Sequence, residues 1–196
     1  MKEENLDRRI RKTRRLLRQC LTALLKEKKI QDITVRELSD MADINRGTFY
    51  LHYKDVFDLL EQIESGLLEE LEDVLNRYHA QDLLSKPSLV FAEVYSLVKD
   101  NSDIVGILIG DNGDLNFVNR LNDIVREKCL KDWMELFRPK ESGIFDAYYA
   151  FIVAGCIGIV KWWLGNGMKE TPEGMANMTE QIILNGVRVF EIEPAG

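Results

Sequence analysis

Between Thr34 and Lys54 the sequence TVRELSDMADINRGTFYLHYK concentrates side chains suited to holding a polyanionic duplex. Arg46 carries a planar fork of donors that can meet the O6 and N7 of a guanine together, and Thr48 can bond a base edge or a phosphate. Leu51 can lie against a thymine methyl or a sugar, and Gly47 beside it lets a backbone approach closely. Thr34, Arg36, Tyr50, His52 and Lys54 are the short polar and cationic groups that would complete a grip on the phosphate backbone. Tyr50 and His52 also have a plainer reading as packing residues with polar tips, and Lys54 as a solvated charge.

That chemistry requires a particular set of elements. Thr34 followed by Glu37 is a capping box that starts one helix. After a turn at Ala42 to Ile44, Asn45 caps the next. Stepping 100° per residue from Phe49, Tyr53 and Val56 fall within about 40° and point to the core. Gly47, Thr48, Tyr50 and Leu51 then point away. The free amides at the starts of both helices favour phosphate. Ahead of them, Leu17, Leu21, Leu24 and Leu25 recur at helical spacing behind the basic run Arg8, Arg9, Arg11, Lys12, Arg14, Arg15 and Arg18. This first helix is expected to end near Lys28. Its basic run is either a solvated face or a source of unspecific phosphate attraction.

The rest of the chain also reads as helices, with no convincing strand. A fourth helix is expected from near Asp55 through Leu71 and Leu75 toward Tyr78. Ser65 and Gly66 inside it are either a hinge or a tolerated glycine. Further helices are expected at Leu89 to Asp100, Ile104 to Ile109, Leu115 to Phe137, Ile144 to Leu164 and Met175 to Phe190. Turns are expected at Asp111 to Asp114 and in a Gly165 to Gly174 loop containing Pro172.

Charge is divided along the chain in a way that agrees with this organisation. The net charge of -7 opposes DNA binding, yet residues 1–54 carry 14 Lys and Arg against 8 Asp and Glu, a net +6. The remaining residues carry 12 against 25, a net -13. A basic module joined to an acidic body is the expected footprint of a polyanion binder. Cys20, Cys129 and Cys156 are odd in number, far apart and without metal-ligand spacing, which points to buried thiols in a reducing compartment. Met1 to Arg18 lacks the apolar core of a signal peptide, so a cytoplasmic location is expected. The uncharged run Ala147 to Val160 falls short of a membrane span and reads as a buried helix, with no membrane partner expected.

The sequence offers little to catalysis. It has two histidines, His52 and His79, and no G-x-S-x-G elbow, phosphate-cradling glycine loop, H-E-x-x-H pair or Cys beside a His. Glu69, Glu70, Glu72 and Asp73 read as a solvated helical face. Neither enzyme activity, a metal nor a cofactor is expected.

The segment from about Arg8 to Leu68 resembles the DNA-binding domain of TetR-type transcriptional regulators. The resemblance lies in Thr34-Val35, Leu38, Ala42, Ile44 and Gly47-Thr48-Phe49-Tyr50 followed by His52-Tyr53. It implies an all-α protein: a three-helix helix-turn-helix head at 8–68 and a helical-bundle domain for regulation and dimerisation at 69–196. It also implies a homodimer on a near-palindromic double-stranded DNA operator, usually under a small-molecule effector. The family's DNA-contact pattern carries over to Thr34, Arg36, Asn45, Arg46, Thr48, Tyr50, His52 and Lys54. Asn45 stands where Ser is common, and Val56 where a phosphate-contacting Lys often stands. The second departure leaves open a co-regulator that keeps the head but acts through a protein partner.

In the body, Lys99-Asp100-Asn101 and the stretch Lys161 to Met168 are similar to a TetR subgroup that includes activator-like regulators of dihydroxyacetone metabolism. Ala154, Gly155 and Gly158 place small residues on an apolar helix, which serves either close approach of a partner helix in a dimer or packing within the monomer. Tyr95, Phe117, Trp133, Phe137, Tyr148 and Tyr149 line an effector cavity or belong to the core.

Overall fold

The computed structural model describes residues 2–79, 85–110, 113–137 and 142–186. Among these it is all-α, with nine α-helices, one short 3-10 helix and no strand. The helices are α1 (Lys2–Leu25), α2 (Val35–Met41), α3 (Arg46–Tyr50), α4 (Val56–Asn76), α5 (Pro87–Asp100), α6 (Ser102–Leu108), α7 (Leu115–Phe137), α8 (Ser142–Gly165) and α9 (Pro172–Asn185). The chain divides into two compact units, Met1–Leu67 and Leu68–Gly196, and α4 runs through the boundary.

In the first unit, Leu17, Leu21 and Leu24 of α1 are buried with Ile33, Leu38, Ala42, Phe49, Tyr53, Val56 and Leu59. These are the positions whose spacing marks one face of each helix. The proposed reciprocal capping box of α2 forms only in part. Thr34 Oγ1 accepts the Glu37 amide at 3.2 Å, but both Glu37 carboxylate oxygens take Lys28 Nζ at 2.6 Å. Glu37 thereby ties the segment after α1 to the start of α2. Gly66 lies within α4 with open space around it, so the helix passes through Ser65 and Gly66 without a break.

The second unit centres on Tyr95, Trp163, Met175 and Ala176. Tyr95 and Trp163 meet edge to face at 5.3 Å, and the Tyr95 hydroxyl is 2.6 Å from Thr179 Oγ1. Trp163 Nε1 donates to the Glu170 carbonyl at 3.1 Å, so both buried aromatics satisfy their polar ends. At the end of α8 the Met168 amide donates to the Trp163 carbonyl and the Gly167 amide to the Leu164 carbonyl. Gly167 (φ 72°) and Met168 (φ 52°) are both left-handed there, a Schellman closure that folds the Met168 side chain back onto the Trp163 cluster.

Two expectations require correction. The 165–174 loop is shorter than its glycines suggest, because Pro172 starts α9 behind the Thr171 cap instead of interrupting the chain. The apolar run in α8 is not a buried helix. Asp146–Gly165 is long and apolar enough to cross a membrane by length and composition, yet only 11% of its apolar window is buried. Val153 and Trp163 face inward, whereas Tyr148, Phe151, Ala154, Gly155, Gly158 and Trp162 are exposed. Of the aromatics weighed for a cavity, Tyr95 and Phe117 are core residues and Tyr149 donates to the Asn122 carbonyl at 2.6 Å. The side chains of Cys129, Trp133 and Phe137, and all of Phe190, lie outside the described residues.

Candidate nucleic-acid interface

The short turn between α2 and α3 fixes the interface. The Ile44 amide reaches back to the Ser39 carbonyl at 3.0 Å and the Asp43 amide to the Asp40 carbonyl at 3.3 Å. Asp43 adopts φ 51°, a left-handed conformation that Asp tolerates better than most residues with a Cβ. Asn45 Oδ1 then accepts the Gly47 amide at 2.8 Å, so α3 is capped within one residue of the turn.

Phe49 is the anchor of α3. It is fully buried, with Tyr53 at 5.7 Å and Tyr50 set edge-on at 5.6 Å. The opposite side of the helix is open: Arg46 and Gly47 are exposed, Thr48 is half-buried, Tyr50 is 58% exposed and Leu51 81%. A solvent-facing Leu beside an uncovered Gly gives the chain no stability. It does provide an apolar contact at the place where a groove would receive the helix. A Cβ added at Gly47 would meet nothing closer than Asn45 Oδ1 at 3.4 Å, so backbone or base edges can approach there.

The remaining polar residues surround this helix at different ranges. Thr34 and Asn45 are exposed caps. Arg36 is exposed and lies 3.7 Å from Asp40 in a solvent-screened pair that holds it weakly. His52 is half-buried with its ring 6.2 Å from that of Tyr53. Burial, helped by the charge of Arg14, pushes the His52 imidazole below its usual range. Lys54 is exposed, and its amide donates to Asp58 Oδ2 at 2.7 Å.

The entry to α4 is closed to an anion. Asp55 Oδ1 accepts the Asp58 amide at 2.9 Å, and Val56 is 3% exposed. Hydrogen bonds from the Lys54 amide and the Gln62 side chain hold the Asp58 carboxyl below the usual range. Two carboxylates and a core valine therefore occupy the first turn, with no cation. Arg14 is the residue that sequence reading left undistinguished within the basic run. Its charge is felt at both His52 and Tyr53 across the fold.

These features define a helix-turn-helix module on a helical body. A family model described as "Transcriptional regulator C-terminal region", of the TetR class, matches residues 85–185, more than half of the chain. The chain belongs to the TetR family of transcriptional regulators.

YxbF, an uncharacterized HTH-type transcriptional regulator of Bacillus subtilis (strain 168), is 24% identical over 172 residues. That match covers 85% of this chain and 43% of YxbF, so the chain spans less than half of the relative's length. A TetR transcriptional regulator from Streptococcus agalactiae 2603V shares the fold with a TM-score of 0.61 at 22% identity, over 92% of this chain and 98% of that one. The transcriptional regulator FadR from Bacillus subtilis, in complex with stearoyl-CoA, gives 0.61 at 17% identity over 87% and 97%. The dihydroxyacetone kinase operon activator DhaS also shares the fold, with 0.56 at 16% identity over 90% and 97%.

Proposed function

We propose that the protein binds a near-palindromic DNA operator as a homodimer and regulates transcription under control of a small-molecule effector, in the cytoplasm and without enzymatic activity. The head at 8–68 carries the DNA contact, and the body at 69–196 carries dimerisation and effector response. The observation behind the reading is α3: Phe49 fixes it from inside while Arg46, Gly47, Thr48, Tyr50 and Leu51 present an uninterrupted outer face. Arg46, Thr48 and Leu51 read bases. Thr34, Arg36, Asn45, Tyr50, His52 and Lys54 hold the backbone.

Dimerisation is supported by α8. Its exposed Phe151, Ala154, Gly155, Gly158 and Trp162 form an apolar, small-residue face, and a Cβ added at Gly155 or Gly158 meets nothing within 4 Å. Small residues left open in one copy allow close approach of a second copy's helix. The effector reading draws support from FadR, which carries an acyl-CoA. In this chain an effector would act only through its differential affinity for two arrangements of the heads.

The acidic, valine-bearing entry to α4 favours a second reading, a co-regulator that acts through a protein partner. The two separate in a titration of full-length protein against duplex from its own upstream region. Operator binding predicts tight, steeply salt-dependent association with a palindrome. Equal, weak affinity for all duplexes rejects it.

A further inference from the structure

On a 100° step, Arg14 falls about 20° from Leu21 and about 60° from Leu17, at the rim of the buried seam of α1. Arg15 falls about 120° from Leu21, out toward solvent. Arg14 is nonetheless exposed, so its stem crosses the seam while its guanidinium stays in water. From there its charge reaches His52 and the Tyr53 hydroxyl at the C-terminal end of α3. Three potential donors from two separate elements therefore converge beside the face that carries Tyr50 and Leu51.

Neighbouring cations are engaged differently. Lys28 is bound to Glu37 and Arg36 is paired with Asp40. The first turn of α4 supplies Asp55, buried Val56 and Asp58, the last with its carboxylate occupied by the Lys54 amide and Gln62. A phosphate passing the end of α3 would thus find no cation on α4. The guanidinium of Arg14 is the group that can meet it together with the imidazole.

We propose that Arg14 and His52 form a two-part clamp for one backbone phosphate of the bound duplex, with α1 acting as part of the DNA-contacting surface. The proposal rests on the operator reading above. A phosphate between the two groups replaces their mutual repulsion with two charge-assisted hydrogen bonds, and a guanidinium is well matched to phosphate oxygens. The contact carries no sequence information. It adds grip and fixes the angle at which α3 enters the groove.

The test compares full-length wild type with Arg14→Gln, Arg14→Lys and Arg15→Gln. Each is titrated by fluorescence anisotropy against a selected operator and an unrelated duplex over a salt series. Arg14→Gln is expected to lower affinity for both duplexes by a similar factor, roughly tenfold, and to flatten the log-log salt slope by about 0.9 for each protomer bound. Arg14→Lys should recover most of the slope, and Arg15→Gln should leave it near wild type. An unchanged slope in Arg14→Gln, or an equal loss in Arg15→Gln, overturns the clamp while leaving operator binding in place. Wild type that binds no duplex in a salt-dependent way overturns both. A DNA-free measurement adds an independent check: the NMR titration midpoint of His52 should rise in Arg14→Gln, and an unmoved midpoint contradicts the juxtaposition.

Discussion

Replacing Leu51 by Ala separates a DNA-facing residue from a structural one. Leu51 is 81% exposed in the free protein and closes α3 with its amide bonded to the Gly47 carbonyl at 3.2 Å, a bond that Ala keeps. Its side chain adds little to folding, and Leu and Ala have similar helix propensities, so the unfolding free energy should move by no more than about 0.5 kcal/mol. On DNA the balance differs. Truncation removes three carbon groups, worth about 0.8 kcal/mol each if fully desolvated, or about 1.2 kcal/mol in all if the groove covers half of them. That is roughly an eightfold loss per half-site and about 60-fold for a dimer engaging two. Urea unfolding and anisotropy with a selected operator, on the same preparation, give both numbers. Full operator affinity in Leu51→Ala refutes the groove assignment. Loss of more than about 1 kcal/mol of stability would instead make Leu51 a structural residue.

Other expected outcomes bear on the frame around the site. Arg46→Ala and Tyr50→Ala should weaken operator binding while leaving the oligomeric state unchanged by light scattering; unchanged affinity in both counts against the α3 assignment. Gly158→Glu should convert a dimer to a monomer of similar helicity, because its new side chain enters space open in one copy but occupied in the pair; a persistent dimer moves the interface elsewhere. Asp43→Val should destabilise the head by about 1 to 2 kcal/mol in urea, since a β-branched side chain resists the φ of 51° there. Burial pushes the Tyr95 hydroxyl up to about 12, the Thr179 bond partly opposing the shift. The folded state then holds a proton that the unfolded chain releases near pH 10, so stability is present below pH 10 and lost as pH rises to about 12. Tyr95→Phe should flatten that alkaline loss in a pH series of thermal melts, and an undiminished loss would place its origin in other groups.

Much of the first unit was legible because its signals are local. Thr34 and Asn45 cap the helices they precede, and Phe49, Tyr53 and Val56 repeat at a spacing that only a buried helical face explains. The partner of Glu37 was not local: Lys28 takes its carboxylate across the fold, where the sequence motif suggests the backbone of Thr34. Arg14 was hidden for the same reason. Within a run of seven basic residues nothing but tertiary packing distinguishes the one whose charge reaches His52. The α8 helix was misread because it is apolar nearly all round, a pattern shared by a buried core helix and by a helix that awaits a partner. Accessibility distinguishes these, and it leaves Phe151 and Trp162 in the open.

Selection of bound sequences from a random duplex library by purified full-length protein tests the central claim most directly. The account predicts enrichment of a near-palindrome whose half-sites lie about one helical turn apart, or a multiple of it, with enrichment lost in Arg46→Ala. A library that emerges unenriched from the folded wild-type protein, or an enriched motif that survives Arg46→Ala unchanged, would contradict it.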